Sequence, residues 1–436
     1  MKNNYRLNDI AQIIDCEHET APLEIDGIPS IRTPNIGKGR LILDGVNKVS
    51  EKTYQLWTKR AKPEPGDLIL AREAPVGNAS IIPSNLKVCL GQRTVLIKPY
   101  KSRICSEYLN YLINSYAVNN YLINISNGAT VGHLNVTDIR KLKLPSLLPL
   151  SIQRKIAAVL SSYDDLIENN NRRIAILEKM AEELYREWFV RLRFPGHDKT
   201  KIVKGVPAGW EIKRIGEIVS YYVGGGWGEE QSNIEYPIGG YVIRGTDIPD
   251  LDVGSFSKPP YRFHKASNYS ARQLGIGDFV FEVSGGSKDQ LLGRSLLITK
   301  GIFEFCDAKV ICASFCKLIR MNHESVSSYY FKYFLKFYHQ SGMVGTYQIQ
   351  STGISNYQFE SFLKYQKIVL PPKSIQDQFD RNVASILSEK DALSLSTNIL
   401  KESRDRLLSR LMNGKINVEN MDISFPPSMQ EEVACA

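Results

Sequence analysis

SIQRKIAAVLSSYDDLIENNNRRIAILEKMAEELYREWFV, residues 151–190, is the stretch that decides the fold. Its apolar residues recur at helical spacing, and the same spacing returns without a gap in SIQDQFDRNVASILSEKDALSLSTNILKESRDRLLSRLMNGKI, residues 374–416. Ile152, Ile156, Leu160, Tyr163, Ile167, Asn170, Ile174, Leu177, Ala181, Leu184 and Trp188 register with Ile375, Phe379, Val383, Ile386, Lys390, Leu393, Thr397, Leu400, Arg404, Leu407 and Leu411 at a constant offset of 223 residues. Both sets open with two four-residue steps and then alternate three and four, a heptad seam preceded by a stutter. Pro149 and Pro372 keep the offset, and so do Ile152-Gln153 and Ile375-Gln376. Each stretch follows a globular segment of similar length, so the chain is an internal duplication.

A helix of about 38 residues is roughly 57 Å long, too long to be buried inside either globular segment. Two such helices with matching stripes are expected to pack on each other, and with a globular segment folding between them an antiparallel pair is the simple solution. The spacing assigns the pairing to Ile156, Leu160, Tyr163, Ile167, Asn170, Ile174, Leu177 and Leu184 of the first helix with Phe379, Val383, Ile386, Leu393, Leu400, Leu407 and Leu411 of the second. Lys390 and Arg404 stand in the second seam and interrupt its dry interface. Asn170 either fixes register against a polar partner or marks a solvated kink at Asn169-Asn170-Asn171.

Outward from the helices, residues 1–148 alternate short apolar runs with Gly, Pro and Asn turns, as in PEPGDLILAREAPVGNASIIP, and then turn helical in SEYLNYLINSYAVNNYLINI. Runs of that kind read as strands. Residues 208–372 repeat the order. Ile31-Arg32 with Asn35-Ile36 parallels Ile243-Arg244 with Asp247-Ile248, Gly66-Asp67 parallels Gly277-Asp278, and SVSSYYFKYFLKFYHQ takes the place of SEYLNYLINSYAV. The expected architecture is α+β: two similar α/β domains separated by two long helices in an antiparallel coiled coil. Its divisions are a first domain over 1–148, a helix over 149–190, a linker over 191–207, a second domain over 208–372, a helix over 373–414 and a loose tail over 415–436.

A length of 436 residues supports two cores. The net charge of +9 points toward a polyanionic partner. The N-terminus MKNNYRLNDIAQ offers no apolar run for a signal peptide, and no window approaches a membrane span, which predicts a cytoplasmic chain with no membrane partner. Seven scattered cysteines suit a reducing compartment. Cys312 and Cys316 lack the spacing of a zinc site and read as buried strand residues.

Catalytic patterns are missing. Gly37-Lys38-Gly39 lacks the spacing of a phosphate loop. Lys258-Pro259-Pro260-Tyr261 has lysine where an amino-methyltransferase loop needs a side-chain acceptor. Asp67 with Glu73, and Asp278 with Glu282, have Pro75 and Ser284 where a nuclease metal site would place its lysine. No metal site is expected. Recognition chemistry remains: Arg32, Lys38, Arg40, Arg72, Gln92 and Arg93 in the first segment, and Arg244, Lys258, Arg262, Lys288, Gln290 and Arg294 in the second, stand beside Gly, Pro or Asn turns. A strand scaffold presents Arg and Gln forks to base edges and Lys to phosphates from such places.

The Gln-Arg-Lys-Ile-Ala start (153–157) and Glu-Trp-Phe-Val-Arg end (187–191) of the first helix, the Pro207-Ala208-Gly209-Trp210 domain start, and the order domain, helix, domain, helix resemble the specificity subunits of type I restriction-modification systems. The resemblance covers essentially the whole chain. It implies that each domain binds one half of a split double-stranded DNA target and that the helices set the gap. It also implies that the helices dock two modification subunits, joined by restriction subunits where the system cuts. The chain itself would be non-catalytic and hold no cofactor, with S-adenosylmethionine, ATP and Mg belonging to the partners. The alternative is a single-chain DNA methyltransferase or nuclease with a coiled-coil arm.

Overall fold

The computed structural model describes residues 5–126, 132–285, 290–350 and 353–430. The chain forms two compact units, one from Met1–Leu166 with Leu400–Ala436 and one from Ile167–Ile399. Each unit thus contains one globular segment and a stretch of each long helix. Among the described residues no helix is long and apolar enough to cross a membrane.

Unit 1 holds a sheet ordered Ala11–Asp15, Thr94–Pro99, Leu68–Ala71, Ala79–Ile81, Gly39–Arg40; its first three junctions are antiparallel and the last is parallel. A smaller sheet runs Lys48–Val49, Ile28–Ile31, Cys89–Leu90, antiparallel and then parallel. Unit 2 repeats the smaller sheet and the first four strands of the larger one. Its strands Val219–Gly224, Cys316–Met321, Phe279–Glu282 and Ser295–Leu297 are antiparallel throughout, and Tyr261–His264, Ile238–Ile243, Val310–Cys312 run antiparallel and then parallel. Leu68–Ala71 and Phe279–Glu282 are buried along their whole length, as a central strand requires.

The duplication extends to single hydrogen bonds. Gly66 and Gly277 take positive φ (84° and 94°), which a side chain rarely tolerates, and the following aspartates close the same turn: Asp67 accepts from the Glu64 amide at 2.9 Å and Asp278 from the Gly275 amide at 2.8 Å. The recurring Ile-Gln pair has a structural cause as well. Gln153, fully buried, accepts from the Cys105 amide at 3.0 Å, at the start of the helix Ser106–Asn114, and donates to Leu148 O at 2.7 Å. Gln376 accepts from the Ser327 amide at 2.8 Å, at the start of the helix Ser328–Gln340, and donates to Pro371 O at 2.9 Å. Each glutamine satisfies an orphan amide of the neighbouring helix and welds it to the long helix.

The long helices run over Leu150–Tyr185 and Lys373–Met412, the first continuing into a π-helical turn over Arg186–Val190. Asn169-Asn170-Asn171 stays helical. In unit 1, Ile156, Ala157 and Leu160 share a core with Leu411, and Asp164 accepts from Arg404 and from the Tyr111 hydroxyl, both at 2.6 Å. In unit 2, Ala181 and Tyr185 share a core with Phe379, Val383 and Leu387, and Glu178 pairs with Lys390 at 2.5 Å. Within unit 1, Ile156 shares a core with Leu411 while Asp164 pairs with Arg404, and within unit 2, Tyr185 packs on Phe379 while Glu178 pairs with Lys390, so the two helix stretches are antiparallel in each unit.

The seam departs from the apolar reading at alternate positions. Leu160, Ile167, Ile174 and Ala181 are buried where expected, but Asp164, Glu178 and Tyr185 are buried in place of Tyr163, Leu177 and Leu184, which are half-buried. On the second helix Phe379, Val383, Leu393 and Leu411 are buried, while Ile386, Leu400 and Leu407 are half-buried. Carboxylates occupy seam positions because Arg404 and Lys390 face them; the two cations that interrupt the dry stripe are one half of the pairing. Asn170 is half-buried and polar register is carried by those two ion pairs.

Two segments expected to be irregular are packed. Val418 and Met429 of the tail are buried in the unit 1 core, and Lys155 Nζ donates to Glu419 O at 2.7 Å and Met421 O at 2.8 Å. Within 191–207, Phe194 is buried and Ile202–Val203 pairs with Val206–Pro207. Cys312 and Cys316 lie in strands at no exposure, and burial pushes the Cys312 thiol up to about 12.

Candidate nucleic-acid interface

In unit 1 the basic side chains singled out beside turns divide into free and committed ones. Arg32 and Lys38 are exposed and meet no carboxylate among the described residues, so both are available to an anion. Arg40 is tied to Asp165 at 2.6 Å. Arg72 is buried with its whole fork used: Nε donates to Leu134 O at 2.9 Å, Nη1 to Asp15 at 3.0 Å, and Nη2 sits 2.8 Å from His133 Nε2. Arg72 is therefore a clamp inside unit 1 and not a reading side chain. Arg93, at φ 63°, is exposed but pairs with Glu73 at 2.7 Å, and Gln92 donates to His18 O at 2.6 Å.

In unit 2 all the described basic side chains singled out beside turns are committed. Arg294 is a second clamp, its Nε and Nη2 donating to Glu282 at 2.8 and 2.5 Å, with the carboxylate almost wholly buried. Arg244 donates twice to Asp247, at 3.0 and 2.7 Å. Those bonds hold both guanidiniums further into the charged range. Lys258 donates to the Tyr241 hydroxyl at 3.1 Å, and Arg262 pairs with Glu230 at 2.9 Å over the Trp227 ring. Gln290 is exposed. Lys288 lies outside the described residues.

The carboxylates weighed as metal ligands have cationic partners. Asp67 meets Lys98 at 2.8 Å and Asp278 meets Arg320 at 2.6 Å, on matching strands of the two units. Glu73 faces Arg93 and His133, and Glu282 faces Arg294. All four carboxylates are thus paired with cations of their own unit, and the Asp67 and Asp278 pairs stand at repeated positions. Among the described residues no group of three or more His, Cys, Asp or Glu side chains is placed to hold a metal.

Sequence reading missed Arg272. It ends the short helix Ala266–Arg272, three residues before the turn that starts at Gly275, and meets no carboxylate among the described residues. Only the three-dimensional pairing of the other arginines singles it out.

Residues 2–179 match the family model described as the type I restriction modification DNA specificity domain. The chain is similar to the MjaIX type I restriction enzyme specificity subunit of Methanocaldococcus jannaschii, 27% identical over 386 residues that cover 86% of this chain and 83% of that one. It is also similar to the EcoBI specificity subunit of Escherichia coli, 23% identical over 167 residues, 38% of this chain and 35% of that one. Among solved structures, the type I restriction-modification S subunit from M. genitalium superimposes with a TM-score of 0.58 at 12% identity, over 94% of this chain and 96% of that one. The fold is shared with that subunit.

Proposed function

We propose that this chain is a specificity subunit of a type I restriction-modification system, as the family-model match over residues 2–179 and the similar relatives support, and that its two units read separate halves of a split DNA target. The chain is the DNA-recognition subunit, and catalysis belongs to its partners. The observation that carries the half-site reading is the repetition of one scaffold in both units. The order of the four antiparallel strands, the aspartate turn and the glutamine weld are duplicated, while the cations beside the turns differ. A repeated frame with different exposed side chains is what reading two unlike half-sites requires.

Arg32 and Lys38 are placed to meet phosphates or base edges for unit 1. The net charge of +9 supplies the long-range attraction to the duplex. The partner subunits include modification subunits, which we place at two copies, matching the duplication, and restriction subunits where the system cuts. S-adenosylmethionine would be bound by the modification subunits, and ATP and Mg by the restriction subunits. The single-chain methyltransferase or nuclease reading is not favoured.

Adenine methylation mapped across a genome with and without this chain, its partner subunits present throughout, tests the proposal. The expected result is a two-part motif with a fixed gap, lost when the chain is removed. Methylation of a contiguous motif, or a pattern indifferent to the chain, contradicts it.

A further inference from the structure

Unit 2 carries an open cleft of about 320 Å³ lined by the turn Gly225-Gly226-Trp227-Gly228, by His264 and Lys265, and by Asn268 and Arg272 of the short helix Ala266–Arg272. The turn is held in place: the Gly225 amide donates to Cys316 O and the Gly226 amide to Cys312 O, each at 2.9 Å. Gly228 has φ +74°, and a Cβ there would stand 2.6 Å from the His264 ring, so only glycine lets the turn close on the histidine. Arg262 lies 5.0 Å over the Trp227 ring and fixes that side chain.

Two features mark the cleft as built for an outside partner. Among the described residues, His264, whose ring lines the cleft, has a buried Nε2 that lacks a partner within the protein. Orphaned groups of this kind need a partner from elsewhere. Burial also lowers the His264 pKa, so its imidazole is neutral near pH 7 and offers both a donor and an acceptor. The second feature is Arg272. Its Nε donates to Gly224 O at 2.9 Å, which sets the plane of the guanidinium, while Nη1 reaches Asn268 only at 3.4 to 3.5 Å. The arginine is oriented without being neutralised, unlike Arg244 and Arg294. Asn268 beside it is exposed.

We infer that this cleft is the direct-readout surface of unit 2, with Arg272 and Asn268 as the side chains that discriminate base edges in the DNA major groove; the inference rests on the half-site reading above. An arginine fork matches the two acceptors of guanine, and an asparagine amide matches the donor and acceptor of adenine. Lys265, at the edge of the cleft, is paired with Glu235 at 2.9 Å and so is committed within the unit.

The test uses the full chain with its partner subunits in a host without background adenine methylation, comparing wild type with Asn268→Ala and Arg272→Lys. Expected is a loss of base discrimination at one or two positions of a single half-site, by about 5- to 150-fold per lost bidentate contact, with the other half and the gap unchanged. Thermal unfolding checks each variant; Asn268 is exposed, so Asn268→Ala decides the matter even where Arg272→Lys fails to fold. A folded Asn268→Ala chain with an unchanged motif overturns the assignment. A slower methylation rate with an unchanged motif makes the cleft a phosphate contact and also overturns it. A wild-type chain that directs no split motif refutes the half-site reading itself, a separate outcome.

Discussion

Glu178→Ala should destabilise unit 2 far more than Lys390→Met, although the two side chains face each other at 2.5 Å. Glu178 also pairs with Lys336 at 2.7 Å, and Lys332 and Lys336 share Asp252, with Lys336 reaching Glu182 at 2.7 Å. The cluster balances three lysines against three carboxylates. Burial pushes the Glu178 carboxyl up, but Lys332 and Lys390 outweigh it and hold the group at about 2. Lys390 is pushed below its usual value by burial and then by Lys332. Removing Glu178 leaves three buried ammonium groups with two carboxylates, one of them partly exposed. Breaking a buried pair in this way costs about 3–5 kcal/mol. Replacing Lys390 with a thioether of similar length also unbalances the cluster, but Glu178 keeps Lys336 and Lys332 as cationic partners, whereas Lys390 without Glu178 keeps no ion pair among the described residues, so this loss costs only about 1–2 kcal/mol. For a unit of this size about 2–4 °C of melting temperature accompanies each kcal/mol, so Glu178→Ala lowers the unit 2 transition by roughly 6–20 °C. Differential scanning calorimetry, with hydrogen exchange to assign the transition to residues 167–399, gives both numbers. Equal losses for the two variants, or a loss below about 1 kcal/mol for Glu178→Ala, would refute the charge-balance argument.

Other outcomes follow from the same structure. Because the folded Glu178 carboxyl sits at about 2, below its unfolded value, its contribution is complete above the unfolded pKa and is lost as pH falls through the folded one. The stability gap between wild type and Glu178→Gln should therefore shrink between roughly pH 4.5 and 2, as urea melts at stepped pH would register. Gln153→Ala and Gln376→Ala each strand a buried amide, at about 1–3 kcal/mol, and hydrogen exchange should show faster opening in the affected unit. Arg32→Ala and Lys38→Ala should weaken duplex binding and lower the salt slope by about one per lost phosphate contact. Arg294→Ala should instead lower the melting temperature, because Glu282 loses its buried partner.

The duplication was legible because apolar spacing and turn residues keep their order under drift. Ile152-Gln153 and Ile375-Gln376 signalled it before their amide caps were visible. The seam was half legible: an apolar template selects Tyr163 and Leu177, whereas Asp164 and Glu178 are admitted by cations more than 200 residues away in sequence. The candidate interface was least legible. Arg72 and Arg294 look like reading side chains until their carboxylate partners are located, and the cleft at Arg272 joins a glycine turn to a helix some forty residues later.

The most direct measurement of the central claim is adenine-methylation mapping after residues 1–148 are exchanged for the equivalent domain of a relative, with partner subunits supplied. The account predicts a motif with one half replaced and the other half and the gap retained. A motif changed in both halves, or unchanged in both, would contradict it.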